Sequence, residues 1–80
     1  MPKLKIISGK ELVKILGDFG FAIAGRKGSH IKLRRITADS RQTLTIPDHQ
    51  ELDKGTLKAI FNQAARYIPD NELRKYFYSE

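Results

Sequence analysis

One histidine lies among cations in the stretch GRKGSH, residues 25–30, between two apolar segments. Histidine has an ordinary pKa of about 6.5, so its side chain is suited to moving a proton near neutral pH. Arg26, Lys27 and Lys32 lie within a few residues of His30. Their charges could stabilise a phosphorane, and RNA supplies its own nucleophile in the 2′-hydroxyl group. These residue types are compatible with ribonuclease chemistry, in which His30 would be the catalytic group.

The same stretch also has simpler interpretations. A solvent-exposed turn that happens to contain a histidine explains the residues equally well. Gly28 would allow a close backbone approach to RNA. Ser29 has no support as a hydrolase nucleophile, because the adjacent histidine on a strand faces the other way. The two histidines, His30 and His49, are far apart and the sequence has no cysteine. We therefore expect no metal site and no cofactor.

Positive charge is concentrated in the first half of the chain. The protein has 80 residues and a net charge of +6. Residues 1–41 include ten basic and three acidic residues, whereas residues 42–80 include five basic and six acidic residues. This asymmetry suggests a polyanionic partner, either nucleic acid or an acidic protein that mimics it. Ordinary solubilising charge is the alternative that composition leaves open.

The length of the chain is sufficient for one hydrophobic core and one domain, residues 1–80. The absence of cysteine from the sequence fits a reducing compartment. The first residues, MPKLKII, are too few for the apolar region of a signal peptide, and no apolar stretch approaches the length of a membrane span. We expect a cytoplasmic protein with no membrane partner.

Three helices are predicted from caps and apolar spacing. Ser8 and Glu11 fit a capping box that begins a helix at about residues 9–19, and Gly20 can end it in a left-handed conformation. Asp53 is a plausible cap for a second helix, which would continue to the Ile68-Pro69 step. Its apolar face comprises Leu57, Ile60, Phe61, Ala64 and Ile68.

A short third helix, with Asp70 as its cap, would end the chain. Leu73, Tyr76 and Phe77 can dock this helix on the rest of the protein. We expect residues 69–80 to be a packing extension of a core that spans about residues 8–68.

Three strands are predicted between the first two helices, in the segments GFAIAG, SHIKLRRI and TLTI. Phe21 and Ile23 would share one face of the first strand, the segment Arg26-Lys27-Gly28 would form the first turn, and Pro47 would end the third strand. The residues expected on the opposite, open face are His30, Lys32, Arg34, Thr43 and Thr45. Alternation therefore predicts an exposed histidine beside cations.

The predicted fold is α+β, with a three-stranded antiparallel sheet, two helices on one face and a short C-terminal helix. Its α-β-β-β-α order is that of double-stranded-RNA-binding domains. Lys54 and Lys58 fall at the start of the second helix, where such domains contact phosphates. A non-catalytic RNA-binding module is therefore an alternative function, and a solvated helix face is the simpler explanation of both lysines. An adaptor for an acidic protein is a third interpretation.

Five pieces of the sequence, in order, resemble the HicA family of small bacterial and archaeal toxins. They are SGKELVKIL, FGF, RKGSHIKL, TIPDH and LDKGTLKAIFNQA, which cover about residues 8–65. The resemblance implies a metal-independent ribonuclease that cleaves messenger RNA, with His30 as the catalytic residue. The expected RNA contacts are Arg26, Lys27, Gly28, Ser29, Lys32, Lys54 and Lys58.

The resemblance also implies a cognate HicB-type antitoxin that binds the toxin and blocks its histidine. Regulation of transcription would be the task of the antitoxin, so we expect no direct contact between this chain and DNA. His49 could be an acid partner of His30, but we interpret it as a loop residue.

Overall fold

Three antiparallel strands in the order β2-β3-β4 form the main sheet. The structure is a computed structural model that describes residues 2–79, so the two terminal residues of the predicted domain lie outside the described part. In chain order the elements are β1 (Lys3–Leu4), α1 (Gly9–Asp18), β2 (Ala22–Lys27), β3 (His30–Ile36), β4 (Arg41–Pro47), α2 (Lys54–Ala64), α3 (Asp70–Phe77) and β5 (Tyr78–Ser79). The predicted α+β fold, with its α-β-β-β-α core and C-terminal helix, is confirmed.

The core lies between one face of the sheet and the helices. Alternate residues of β3 and β4 are buried on that face, and both α1 and α2 pack against β4. The buried sheet residues are Ile31, Leu33, Leu44 and Ile46. The helices contribute Leu12, Leu16, Leu57, Ile60, Phe61 and Ala64 to the same cluster. This packing leaves the other face of the sheet without a helix.

The first helix has the predicted caps at both ends. Ser8 Oγ accepts a hydrogen bond from the Glu11 amide at 3.0 Å, and the Ser8 amide donates to Glu11 Oε1 at 3.1 Å. At the other end Gly20 has a φ of 96°, and the Phe21 amide donates to the Leu16 carbonyl at 3.1 Å. These bonds form a capping box and a Schellman motif, which fix the length of α1.

The second and third helices differ from the prediction at their ends. α2 ends at Ala64 rather than at Ile68, although Ile68 is still buried in the core. Ile68 precedes a proline, a position at which helical backbone is disfavoured, and the chain turns before it. Asp53 is at the N-cap of α2 but its side chain makes no capping bond, and Pro69 rather than Asp70 occupies the N-cap of α3.

The C-terminal helix packs into the same core. Leu73 and Phe77 are fully buried, whereas Tyr76 is more than one-third exposed and contacts the edge of the Phe19 ring. Strands β1 and β5, which the sequence did not predict because each has only two residues, pair in antiparallel fashion. The docking predicted for Leu73 and Phe77 is thus confirmed.

The first sheet strand also differs from the prediction. β2 continues to Lys27, so Arg26 and Lys27 lie in the strand and the turn consists of the next two residues. Ile23 is opposite Leu33, on the face of the sheet that carries the buried residues, but its side chain is 64% exposed. The physical reason is that β2 is an edge strand on the side of the sheet away from β4, against which the helices pack.

Arg35 joins the ends of both core helices to the sheet. Its Nη1 donates to the Phe19 carbonyl at 2.8 Å, its Nη2 to the Tyr67 carbonyl at 2.9 Å, and its Nε to Gln42 Oε1 at 2.8 Å. The guanidinium carbon also lies 5.0 Å from the centre of the Phe21 ring. One side chain therefore satisfies the Phe19 carbonyl at the end of α1 and the Tyr67 carbonyl in the turn after α2.

The first turn of α1 lies directly against the end of β4. A Cβ atom at Gly9 would be 2.0 Å from the Pro47 carbonyl oxygen, and the Gly9 amide donates to the His49 carbonyl at 2.8 Å. Only a residue without a side chain fits this approach. Gly9 therefore fixes the position of α1 relative to the β4–α2 loop.

We expect Gly9→Ala to destabilise the protein by about 1–3 kcal/mol, because the added methyl group must displace backbone atoms. Gly17→Ala in the same helix is the matched control, since a Cβ atom there meets nothing within 4 Å. That control should stabilise the protein by about 0.5–1 kcal/mol through helix propensity. Urea unfolding measures both changes, and equal effects of the two substitutions would contradict the steric explanation.

Candidate functional site

The open face of the sheet has the composition that alternation predicts. His30, Lys32 and Arg34 of β3 project from it, and the register places Thr45 opposite Lys32 and Thr43 opposite Arg34. Their neighbours in β3, Ile31, Leu33 and Arg35, face the helices. The predicted exposure of His30 is confirmed. The core thus determines which side chains are displayed.

A β-bulge in β2 precedes the cation that joins them. Ile23 is opposite Leu33, but the next paired residue is Gly25, opposite Lys32, so Ala24 is an extra residue in the strand. The extra residue inverts the alternation beyond it. Lys27 pairs with His30 and lies on the open face, and Arg26 pairs with Ile31 and lies on the helix side.

A groove of about 550 Å³ lies on the open face around His30. Its lining comprises Ala24, Gly25, Arg26, Lys27, His30, Lys32, Arg34 and Thr45. Directly opposed residues have Cβ atoms about 4.5–5.5 Å apart, which places Lys27 beside His30. Lys32 is two residues further along the same strand, about 7 Å away. No carboxylate is part of the groove lining formed by the described residues.

The hairpin loop that precedes His30 has two residues, Gly28 and Ser29. Gly28 has a φ of 60° and Ser29 has a negative φ, the pattern of a type II′ turn. The Ser29 carbonyl accepts a hydrogen bond from the Asp48 amide at 2.6 Å. The loop is therefore short, geometrically defined and tied to the end of β4.

Arg26 reinforces the same connection with its side chain. Its Nη2 is 2.5 Å from Asp48 Oδ2, and its Nε donates to the Gly28 carbonyl at 3.1 Å. The hydrogen bond from Arg26 is the main reason that the pKa of Asp48 is lowered. Burial, the second-largest effect, raises this pKa, whereas the charges of Arg26, Lys10 and His49 lower it further. Arg26 therefore contacts protein groups, although it was predicted to contact phosphate.

The remaining predicted residues are not brought into the groove. Lys54 and Lys58 are exposed, four residues apart at the start of α2, and neither is part of the groove lining. His49 lies in the loop between β4 and α2, where its carbonyl accepts the Gly9 amide. The structure thus brings Lys27 and Lys32 together with His30, and places the two α2 lysines outside the groove.

Sequence reasoning placed Arg34 on the open face but did not select it as a site residue. The alternation that selected His30 and Lys32 also applied to it. Asp48 was missed for another reason, because nothing in the segment TIPDH indicates that its carboxylate pairs with a residue 22 positions earlier. Long-range pairs of this kind depend on the register of β2.

Within residues 2–79, no cluster of three or more His, Cys, Asp or Glu side chains has a geometry that could hold a metal ion. Of the helices in the described part, none has the length and apolar character to cross a bilayer.

One comparison with known proteins gave a match. The family model described as HicA toxin of bacterial toxin-antitoxin matches residues 9–65. This range runs from the first residue of α1 to just beyond the end of α2, and it contains the whole groove. No curated protein and no solved structure matched the chain.

The Arg26–Asp48 pair predicts a specific dependence of stability on pH. Because the pKa of Asp48 is lowered in the folded state, the pair stabilises the fold above the ordinary aspartate pKa of 3.8, and this contribution is lost as pH falls through the lowered pKa. We expect Asp48→Asn to be less stable than the wild type at neutral pH, with a difference that shrinks in acid. Urea midpoints measured across this range test the expectation.

Asp39→Asn is the matched control, since it removes one carboxylate from the exposed β3–β4 loop. A deficit in Asp48→Asn that stays constant from neutral to acidic pH would show that the carboxylate charge does not matter. The deficit would then have a cause other than the ion pair with Arg26.

Proposed function

Because this chain belongs to the HicA toxin family of toxin–antitoxin systems, we propose that it is a metal-independent ribonuclease that cleaves messenger RNA, with His30 as the proton-transfer residue. Membership of the family implies a cognate antitoxin as its partner. The observation that carries the proposal is the placement of His30 on an open face, beside Lys27 and Lys32, in a groove whose described lining contains no carboxylate.

The proposed reaction is an internal transesterification. The 2′-oxygen of RNA forms a bond to the adjacent phosphorus, and the bond from phosphorus to the 5′-oxygen of the next nucleotide breaks. The 2′-hydroxyl loses a proton and the departing 5′-oxygen gains one, so the products are a 2′,3′-cyclic phosphate and a 5′-hydroxyl. An imidazole can carry either proton, and such help contributes roughly 10²- to 10⁴-fold in rate.

The cations have separate tasks in this proposal. Lys27 is opposite His30 and would stabilise the negative charge that develops on the phosphorane oxygens. Lys32, about 7 Å further along β3, would contact an adjacent phosphate. Gly28 and Ser29 would bring the backbone of the hairpin loop close to RNA. Arg26 would act differently from our initial expectation: its bonds to Asp48 and to the Gly28 carbonyl support a role in positioning the loop.

The proposal also includes the antitoxin and the two exposed lysines of α2. We propose that a HicB-type antitoxin covers the groove with acidic groups, that the protein acts in the cytoplasm, and that it has no direct contact with DNA. Lys54 and Lys58 remain proposed secondary contacts to RNA. Their exposure at a helix start, in a fold like that of double-stranded-RNA-binding domains, also favours the alternative of a non-catalytic RNA-binding module.

The test compares the purified wild type with His30→Ala on RNA in excess chelator. We expect the wild type to leave 2′,3′-cyclic phosphate ends and the variant to lose about 10²- to 10⁴-fold in cleavage rate. Since His30 is exposed, the melting temperature should not change. His49→Ala, which alters an exposed loop histidine, is the matched control and should retain cleavage.

Other outcomes would lead to different conclusions. If neither protein cuts RNA and both bind it equally, the chain is an RNA-binding module. If His30→Ala unfolds the protein, the histidine is structural and its assignment as a catalytic residue fails.

A further inference from the structure

Two consecutive arginines of β3 have opposite environments. Arg35 faces the helices, and its Nε, Nη1 and Nη2 each donate a hydrogen bond to the protein. Arg34 faces the open side of the sheet and lines the groove. Its Nε is buried, yet among the described residues it has no hydrogen-bond partner. A buried donor without an acceptor is unfavourable, so a small movement of the Arg34 guanidinium toward a ligand that supplies an acceptor would be favourable.

The surroundings of Arg34 indicate the charge of that ligand. Across the sheet it is opposite Ala22 on one side and Thr43 on the other, two short side chains that leave space above it. Within the described residues it has no salt-bridge partner, and the groove lining contains neither a carboxylate nor an aromatic ring. An anion fits this position, whereas a base that must stack on a ring does not.

The spacing along β3 indicates the form of the anion. His30, Lys32 and Arg34 alternate on one face of a regular strand, so neighbouring members of the series are about 7 Å apart. Successive phosphates of an extended single strand of RNA are separated by a similar distance. In a duplex, by contrast, the phosphates follow a curved path around the helix.

Building on the ribonuclease function proposed above, we propose that Arg34 binds a phosphate two nucleotides from the scissile one. The substrate is a single strand of RNA that lies along β3, with the scissile phosphate at His30, the next at Lys32 and a third at Arg34. Because this face offers cations and no ring, binding depends on the backbone of the RNA and tolerates different bases.

The test uses chimeric oligonucleotides that contain one ribonucleotide, so that each is cut at one known phosphate. One substrate is a dinucleotide with a single phosphate, and the others extend it by three nucleotides in either direction. For the extension that reaches Arg34, the ratio of its kcat/KM to that of the dinucleotide should fall roughly tenfold or more in Arg34→Gln. Arg66→Gln, which removes the same charge from an exposed position after α2, is the matched control and should leave this ratio unchanged.

A binding experiment separates this inference from the ribonuclease proposal. The probe is the longer oligonucleotide in an all-deoxy form, which cannot be cut by a 2′-hydroxyl. The slope of log affinity against log salt should be smaller by about 0.7 in Arg34→Gln and unchanged in Arg66→Gln. If no protein cleaves but this difference appears, the ribonuclease function fails and the Arg34 phosphate site is supported.

The remaining outcomes overturn the inference. Arg34 has no separate subsite if Arg34→Gln reduces cleavage of the dinucleotide and of the longer substrates by the same factor. The single-strand assignment is wrong if the loss is as large for a duplex of the same sequence. If RNA binding and cleavage are unaffected while Arg34→Gln weakens binding of the cognate antitoxin, the arginine serves a protein carboxylate instead.

Discussion

The central strand of the sheet can bury only one of its faces, and most of the molecule follows from that constraint. β3 is hydrogen-bonded on both sides, so its residues must alternate between the helices and the opposite face. Ile31 and Leu33 belong to the core, and Arg35 joins the helix ends to the sheet. Every second residue is then excluded from the core. A chemical site can occupy this face, because the packing of the core does not depend on which side chains are displayed there.

The position of His30 in the groove is fixed by contacts made outside the groove. The histidine follows a two-residue loop, and the backbone of that loop is tied to the end of β4 through Ser29 and Asp48. Arg26 bonds to the same aspartate and to the Gly28 carbonyl. Gly9 lets the first turn of α1 close over the same end of the sheet. Three segments distant in sequence therefore meet behind the histidine, and their mutual bonds limit its movement relative to Lys27.

The sequence predicts features that depend on a local periodic pattern. It fails where a feature depends on how distant segments are arranged in the sheet. Alternation in β3 placed His30 and Arg34 on the open face, and caps located both ends of α1. By contrast, the exposure of Ile23 depends on which strand lies at the edge of the sheet, and local pattern contains no such information. The partner of Arg26 depends on the pairing of β2 with β3. Arg34 and Arg35 are adjacent residues of the same type. Only the fold shows that Arg35 donates three hydrogen bonds to the protein, whereas the Arg34 Nε atom has no partner among the described residues.

The bulge at Ala24 has a consequence for how such a protein can evolve. Loss of one codon there would remove only the extra residue, and Arg26 would stay opposite Ile31 and Lys27 opposite His30. The ion pair with Asp48 and the cation beside His30 would both be kept, because the two-residue loop fixes the pairing on its own side of the bulge. A substitution at Arg26 or Lys27, by contrast, removes one of these features. Across descendants of such a gene, the length of β2 at this point should therefore be freer to change than the identities of the two cations.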